Sequence, residues 1–239
     1  METPAFMPVG TKGTVKGLTP KDLREVGAGI VLGNTYHLYL RPGAGLIEEA
    51  GGLHAFMGWQ GPILTDSGGY QVFSLAKMRR ISEEGVEFAS VYDGSPHVFT
   101  PELTTRVQEQ LGSDVAMVLD ECPPANVGRE YHEESLRRTA RWARRCKEAH
   151  ERSDQALFGI VQGGLYPDLR EESLGLTVEI GFDGYAVGGL SVGESREEML
   201  ETLALTAPGL PAEKPRYFMG IGDPVGILKV IALGVDMFD

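Results

Sequence analysis

LFGIVQGGLYPDLREESLGLTVEIGFDGYAVGG, residues 157–189, holds one full turn of the pattern that decides the fold. Leu157–Val161 is a short apolar run, Pro167–Ile180 carries helical spacing behind a proline, and Tyr185–Val187 is a second apolar run. A strand covered on both faces loses the polar–apolar alternation of a half-exposed one, so the stretch reads as a parallel β-α-β unit. Proline opens the helix where its missing N–H would have no intrahelical acceptor.

The same reading extends in both directions. Apolar runs of strand character lie at Phe6–Val9, Ile30–Leu32, Pro62–Leu64, Val115–Leu119, Tyr217–Met219 and Val235–Phe238, making eight with the two above. Helical spacing falls between most of them, at Pro20–Val26, Pro101–Leu111, Glu130–Glu151, Ser195–Leu205 and Pro224–Leu233. Eight strand–helix units in about 250 residues is the pattern of a (β/α)8 TIM barrel. The expectation is a single barrel domain over residues 1–239, incomplete because no helix follows the eighth strand. One stretch breaks the rhythm: GVEFASVYDGSPHVFTP, residues 85–101, alternates around Asp93-Gly94 and predicts a β-hairpin, Val86–Phe99, inserted after strand three.

Composition bounds the function. With 42% hydrophobic and 23% charged residues the chain is of ordinary globular type. No stretch approaches the ~20 unbroken apolar residues of a membrane helix, and METPAFMPVG has no leader pattern, so a cytoplasmic protein without membrane contact is expected. Cys122 and Cys146 have no CxxC spacing and read as free thiols, so no metal site is expected in this chain. A net charge of −12 argues against a free-standing nucleic-acid binder; any RNA contact needs basic surface that is local or lies elsewhere. The arginines of RRTARWARRCK, with Arg137, Arg141, Arg144 and Arg145, are read as a solvated face paired with Glu133, Glu134, Glu148 and Glu151. His37 is placed near the mouth, and His54, His97, His132 and His150 on the surface.

In this architecture chemistry sits where strands end. The third strand delivers Asp66-Ser67-Gly68-Gly69-Tyr70-Gln71, the fourth Asp120-Glu121-Cys122, the fifth Gln162, the sixth Gly189-Leu190, the seventh Met219 and the eighth Asp239. A lone carboxylate there serves equally well as a helix cap, but three converge here. Two carboxylates flanking a sugar C1′ can divide glycosyl transfer between nucleophile and proton carrier. Asp120 and Gln162 suit the hydrogen-bonding edge of a purine, Gly189 exposes its backbone to a ligand, and Tyr70 and Met219 offer faces for a flat base.

The blocks TPAFMPVGT, LGNTYHLYLRPG, PILTDSGGYQVFSL, LDECPP, FGIVQGG, GFDGYAVGGLSVGE, YFMGIGDP and GVDMFD, in this order, resemble tRNA-guanine transglycosylases nearly end to end. The resemblance implies a TIM-barrel enzyme that exchanges guanine at the first anticodon position of tRNA for a 7-deazaguanine. It implies Asp239 as the nucleophile toward ribose C1′ and Asp66 as general acid/base, with Asp120, Gln162, Gly189 and Leu190 reading the base and Tyr70 and Met219 enclosing it. Ser67, Cys122, Val192 and Glu194 follow in a second rank, Glu194 beside a movable peptide near the 7-substituent. Cys122 in DECPP and Val192 in LSVGE point to the bacterial substrate preQ1. The resemblance further implies tRNA, through its anticodon arm, as the partner and a homodimer as the assembly.

Full-length relatives are expected to carry a zinc subdomain whose ligands would lie beyond Asp239, and an N-terminal hairpin, neither of which is present here. The chain therefore reads as trimmed at both ends, with weakened stability and activity. Two rivals are a noncatalytic tRNA-binding partner subunit of the same family, disfavoured by the joint presence of Asp66, Asp120 and Asp239, and a barrel glycosidase, which leaves the purine-edge set unexplained.

Overall fold

A computed structural model describes residues 2–75 and 79–239 of the chain. It begins with β1 (Ala5–Phe6), α1 (Pro20–Glu25), β2 (Val31–Gly33), three short helices α2 (Thr35–Leu40), α3 (Ala44–Glu49) and α4 (Gly52–Met57), and β3 (Ile63–Thr65). After α5 (Gly69–Leu75) come β4 (Arg79–Ile81), β5 (Val86–Ala89) and β6 (Pro96–Phe99), then α6 (Pro101–Leu111) and β7 (Val115–Met117). The remainder alternates strictly: α7 (Arg129–Ala149), β8 (Ala156–Val161), α8 (Pro167–Ile180), β9 (Gly184–Val187), α9 (Arg196–Thr206), β10 (Arg216–Phe218), α10 (Pro224–Ala232) and β11 (Met237–Phe238).

Eight strands form one parallel sheet in the order β1-β11-β10-β9-β8-β7-β3-β2. They are the eight apolar runs of the sequence, because β8 and β9 are buried along nearly their whole length by helices outside and side chains within. The ladder is open between β1 and β2; across the gap Val9 bridges Leu32, Leu32 N–H donates to Pro8 O at 3.0 Å, and Gly10 N–H donates to Leu32 O at 2.6 Å. The architecture is that of an incomplete (β/α)8 fold.

Two expectations need correction. The inserted hairpin is present as β5 and β6, but β4 pairs antiparallel with the other edge of β5, so the insertion is a three-stranded sheet. Val86, Phe88 and Phe99 bury against Tyr36, Val72 and Phe73, which fastens this small sheet to α2 and α5 beside the strand ends. His132 is no surface residue: it is 3% exposed, with its ring against Tyr166.

α7 shows how the sequence chooses a face. His132, Ser135, Leu136, Thr139, Trp142, Ala143 and Cys146 recur at helical spacing and are buried. Its arginines pair within the helix, Arg137 with Glu133 and Arg138 with Glu134, but their shortest partners are tertiary: Arg137 with Glu172, Arg141 with Glu83 and Arg145 with Glu102, each at 2.7 Å. Most of the arginine-rich stretch is thus occupied by carboxylates. Among the described residues no helix is long and apolar enough to cross a membrane.

Candidate active site

The strand ends surround a cavity of about 290 Å³ whose lining includes Asp66, Tyr70, Asp120, Leu190, Met219 and Asp239. Ser67, Cys122, Gly189 and Val192 also reach it. Gln162 does not: it is 1% exposed and stands behind the wall, holding Asp120.

Asp66 follows β3 and is gripped on all sides. Asn34 occupies the N-cap of α2 without capping it; its amide donates to Asp66 Oδ2 instead. The N–H of Thr35 donates to Oδ1 at 2.9 Å and that of Gly68 at 3.1 Å, while Gln71 Nε2 reaches Oδ2 at 3.0 Å. The carboxylate therefore takes donors from the first turn of α2 and from α5, which fixes its direction. Four donors would ordinarily lower a carboxyl pKa, yet burial outweighs them and lifts Asp66 to about 6.

Asp120 follows β7. Its Oδ2 accepts from Gln162 Nε2 at 2.6 Å, and its Oδ1 faces the Ser67 hydroxyl at 3.4 Å. Burial again raises the pKa to about 6, and the neighbouring charge of Asp66 pushes the same way. The amide of Gln162 is half used: Oε1 is buried and has no hydrogen-bond partner among the described residues.

Asp239 follows β11, and its Oδ1 accepts from Tyr217 Oη at 2.7 Å and from Gly220 N–H at 2.9 Å. Burial raises its pKa as well. Tyr217, fully buried and facing both Asp239 and Asp66, has its own pKa driven well above the ordinary value, so its hydroxyl stays a donor.

The loop after β9 completes the wall. Ser191 adopts φ +58°, a conformation side chains rarely hold, and Glu194 sustains it by accepting the N–H groups of Ser191 and of Val192, the latter at 3.0 Å. Gly189 has φ +66°, and a Cβ there would stand 2.3 Å from Gln162 Oε1. Gly189→Ala should cost about 2 kcal/mol or more in denaturant unfolding, from overpacking added to backbone strain. An unchanged midpoint would show that the loop relaxes freely.

Sequence reasoning missed Asn34, Tyr217 and Arg170, and named Gln71 without giving it a role. Asn34, Gln71 and Tyr217 grip the carboxylates; Arg170 is 2% exposed and donates to backbone carbonyls beneath Gly189. Only the places of Asn34, Gln71 and Tyr217 near strand ends could have drawn notice. His37 meets Tyr92 Oη of the inserted sheet through Nδ1 at 3.0 Å.

The residues present do not fit a zinc centre. Cys122 lines the cavity and Cys146 is buried under α7, and no group of three or more His, Cys, Asp or Glu among the described residues is arranged to hold a metal ion.

The family model described as Queuine tRNA-ribosyltransferase matches residues 1–239. A queuine tRNA-ribosyltransferase of Solidesulfovibrio magneticus is 61% identical over 241 residues, taking in 100% of this chain and 65% of its own length. Those of Halothermothrix orenii and Pelotomaculum thermopropionicum are each 59% identical over 239 residues, again across 100% of this chain and 64% and 65% of their own lengths. The chain thus spans about 65% of the length of the curated relatives it matches. Matched from its first residue to its last, and sharing more than half its residues with such relatives, the chain belongs to the queuine tRNA-ribosyltransferase family.

Proposed function

We propose that this chain carries the reacting site of a tRNA-guanine transglycosylase, a pentosyltransferase that replaces guanine at the first anticodon position of tRNA with preQ1. The observation that carries the reading is the meeting of a buried carboxylate, Asp66, and a half-buried one, Asp239, with the Asp120–Gln162 pair around one cavity. The reading takes the sheet as the (β/α)8 barrel, its edges joined at Val9 and Leu32, and takes the anticodon arm as partner and a homodimer as assembly.

Each group has a task its surroundings suit. Asp239 bonds through a carboxylate oxygen to ribose C1′ as the C1′–N9 bond breaks and its electron pair leaves with guanine. Tyr217 and the Gly220 N–H hold Oδ1, leaving Oδ2 to attack. Asp66, with a pKa of about 6, gives a proton to the departing base and, as carboxylate, takes one from the incoming 7-deazaguanine, whose ring nitrogen then displaces Asp239. Ionised Asp120 accepts the paired N–H groups on the base edge, Gln162 holds it in place, and Tyr70 and Met219 enclose the ring. Leu190, Val192 and Glu194 border the region where a 7-substituent would lie.

Incubation with unmodified tRNA and radiolabelled guanine tests the proposal: label should enter the RNA and be chased out by preQ1. Release of free sugar from oligosaccharide, with tRNA untouched, would replace it with a glycosidase.

A further inference from the structure

Arg170, on α8, is a buried cation with no carboxylate in contact among the described residues, the charge of Glu194 acting on it from further off. It is 2% exposed, and among the described residues it makes no ion pair. Its guanidinium spends itself on four backbone carbonyls: Nε on Gly164 O at 2.7 Å, Nη1 on Gly188 O at 2.7 Å and Val161 O at 3.2 Å, and Nη2 on Gly189 O at 3.2 Å. Burial lowers its pKa only to about 10, so the charge is retained at neutral pH. Burying a charge without a counter-ion is costly, and a neutral residue could close the same gap.

The carbonyls it selects explain the cost. In a trans peptide the C=O and the following N–H point in opposite directions. Holding Gly188 O and Gly189 O therefore turns the N–H groups of Gly189 and Leu190 away from Arg170. That direction is the cavity: both residues line it, and the Gly189 N–H points toward the sulfur of Cys122, which lines it too. The next two N–H groups, of Ser191 and Val192, are taken by Glu194. Among the described residues, neither the Gly189 nor the Leu190 N–H donates to a backbone carbonyl.

We infer that Arg170 is a positioning residue that orients and polarises the Gly188–Leu190 backbone into a paired donor for the exocyclic carbonyl oxygen of the exchanged purine. The inference rests on the purine-exchange reading above and deepens it. The positive charge pulls on the carbonyl end of each peptide and leaves the N–H end a stronger donor. When the glycosidic bond breaks, its electron pair remains with the base and spreads onto that oxygen, so the same donors gain strength as the bond parts.

Guanine and 6-thioguanine share the ring and its N–H edge and differ in the acceptor at position 6, which separates this role from general support of the fold. Calorimetric affinities are compared for wild type, Arg170→Lys and Arg170→Met, each checked for a cooperative melt. Wild type should prefer guanine; Arg170→Met should lose about tenfold in guanine affinity with 6-thioguanine changed less than threefold, and Arg170→Lys should recover part of the loss. Equal losses for both bases, or none, overturn the inference while leaving purine exchange intact. Should the variants not fold, amide spectra of the wild type decide: the Gly189 and Leu190 N–H signals must shift with guanine and shift less with 6-thioguanine, and immobile signals overturn the inference. Wild type that binds neither base overturns the purine reading and the inference together.

Discussion

Asp239→Asn protein is expected to bind guanine and yet to form no denaturant-resistant adduct with tRNA, with exchange reduced about 10⁴-fold or more. The amide keeps the shape of the carboxyl and can still accept from Tyr217 Oη and Gly220 N–H, so the wall of the cavity survives. What disappears is the negative oxygen able to bond to C1′; an amide oxygen is too poor a nucleophile to serve. Denaturing gel electrophoresis of protein mixed with labelled tRNA and guanine reads the adduct directly. An adduct that persists in the variant, or one that vanishes instead with Asp66→Asn, would move the nucleophile to another residue.

The second large effect concerns pH and Asp120. The carboxyl must be ionised to accept two N–H groups from a base edge, and its pKa is about 6. Guanine affinity should therefore be flat above that value and fall up to about tenfold for each pH unit below it. Asp120→Asn should remove the pH dependence and weaken binding about 30-fold, the worth of a charge-assisted contact. Stability runs the other way. A carboxyl whose pKa rises on folding from 3.8 to about 6 favours the folded state fully below pH 3.8 and loses that contribution as pH climbs through 6, about 3 kcal/mol in all. Asp120→Asn, which can keep its contact with Gln162, should therefore gain stability over wild type as pH rises from 4 to 7. Melting curves across that range check the sign, and a difference that narrows with pH refutes it.

The eight strands of the parallel sheet and the five longer helices, α6 to α10, were legible from apolar runs and from helical spacing behind a proline or a capping residue. The short helices α2 to α5 left no such mark. Each is six or seven residues long, less than two turns, and α3 and α4 start from glycines at φ +106° and +93° that read equally well as loops. β4 stayed hidden because three residues beside a hairpin carry no period of their own.

Within the cavity, Asp66, Asp120 and Asp239 were legible as acids at strand ends. Their partners were not, since Asn34 and Gln71 are ordinary polar residues until α2 and α5 bring them to Asp66. Gln162 was expected to line the cavity but stands behind Asp120, a distinction only the packed Gly189 backbone reveals. Arg170 lies on the buried stripe of α8 with Leu169, Ser173 and Thr177, a largely polar face turned inward, so apolar spacing gave the helix but no sign that this arginine is buried.

The thiol of Cys122 has a fate set by its neighbours. Burial and the adjacent Asp120 lift its pKa to about 12, so at neutral pH only about one molecule in 10⁵ presents a thiolate. Alkylating reagents and peroxide attack thiolates, so this cavity should withstand oxidising stress despite having sulfur in its wall.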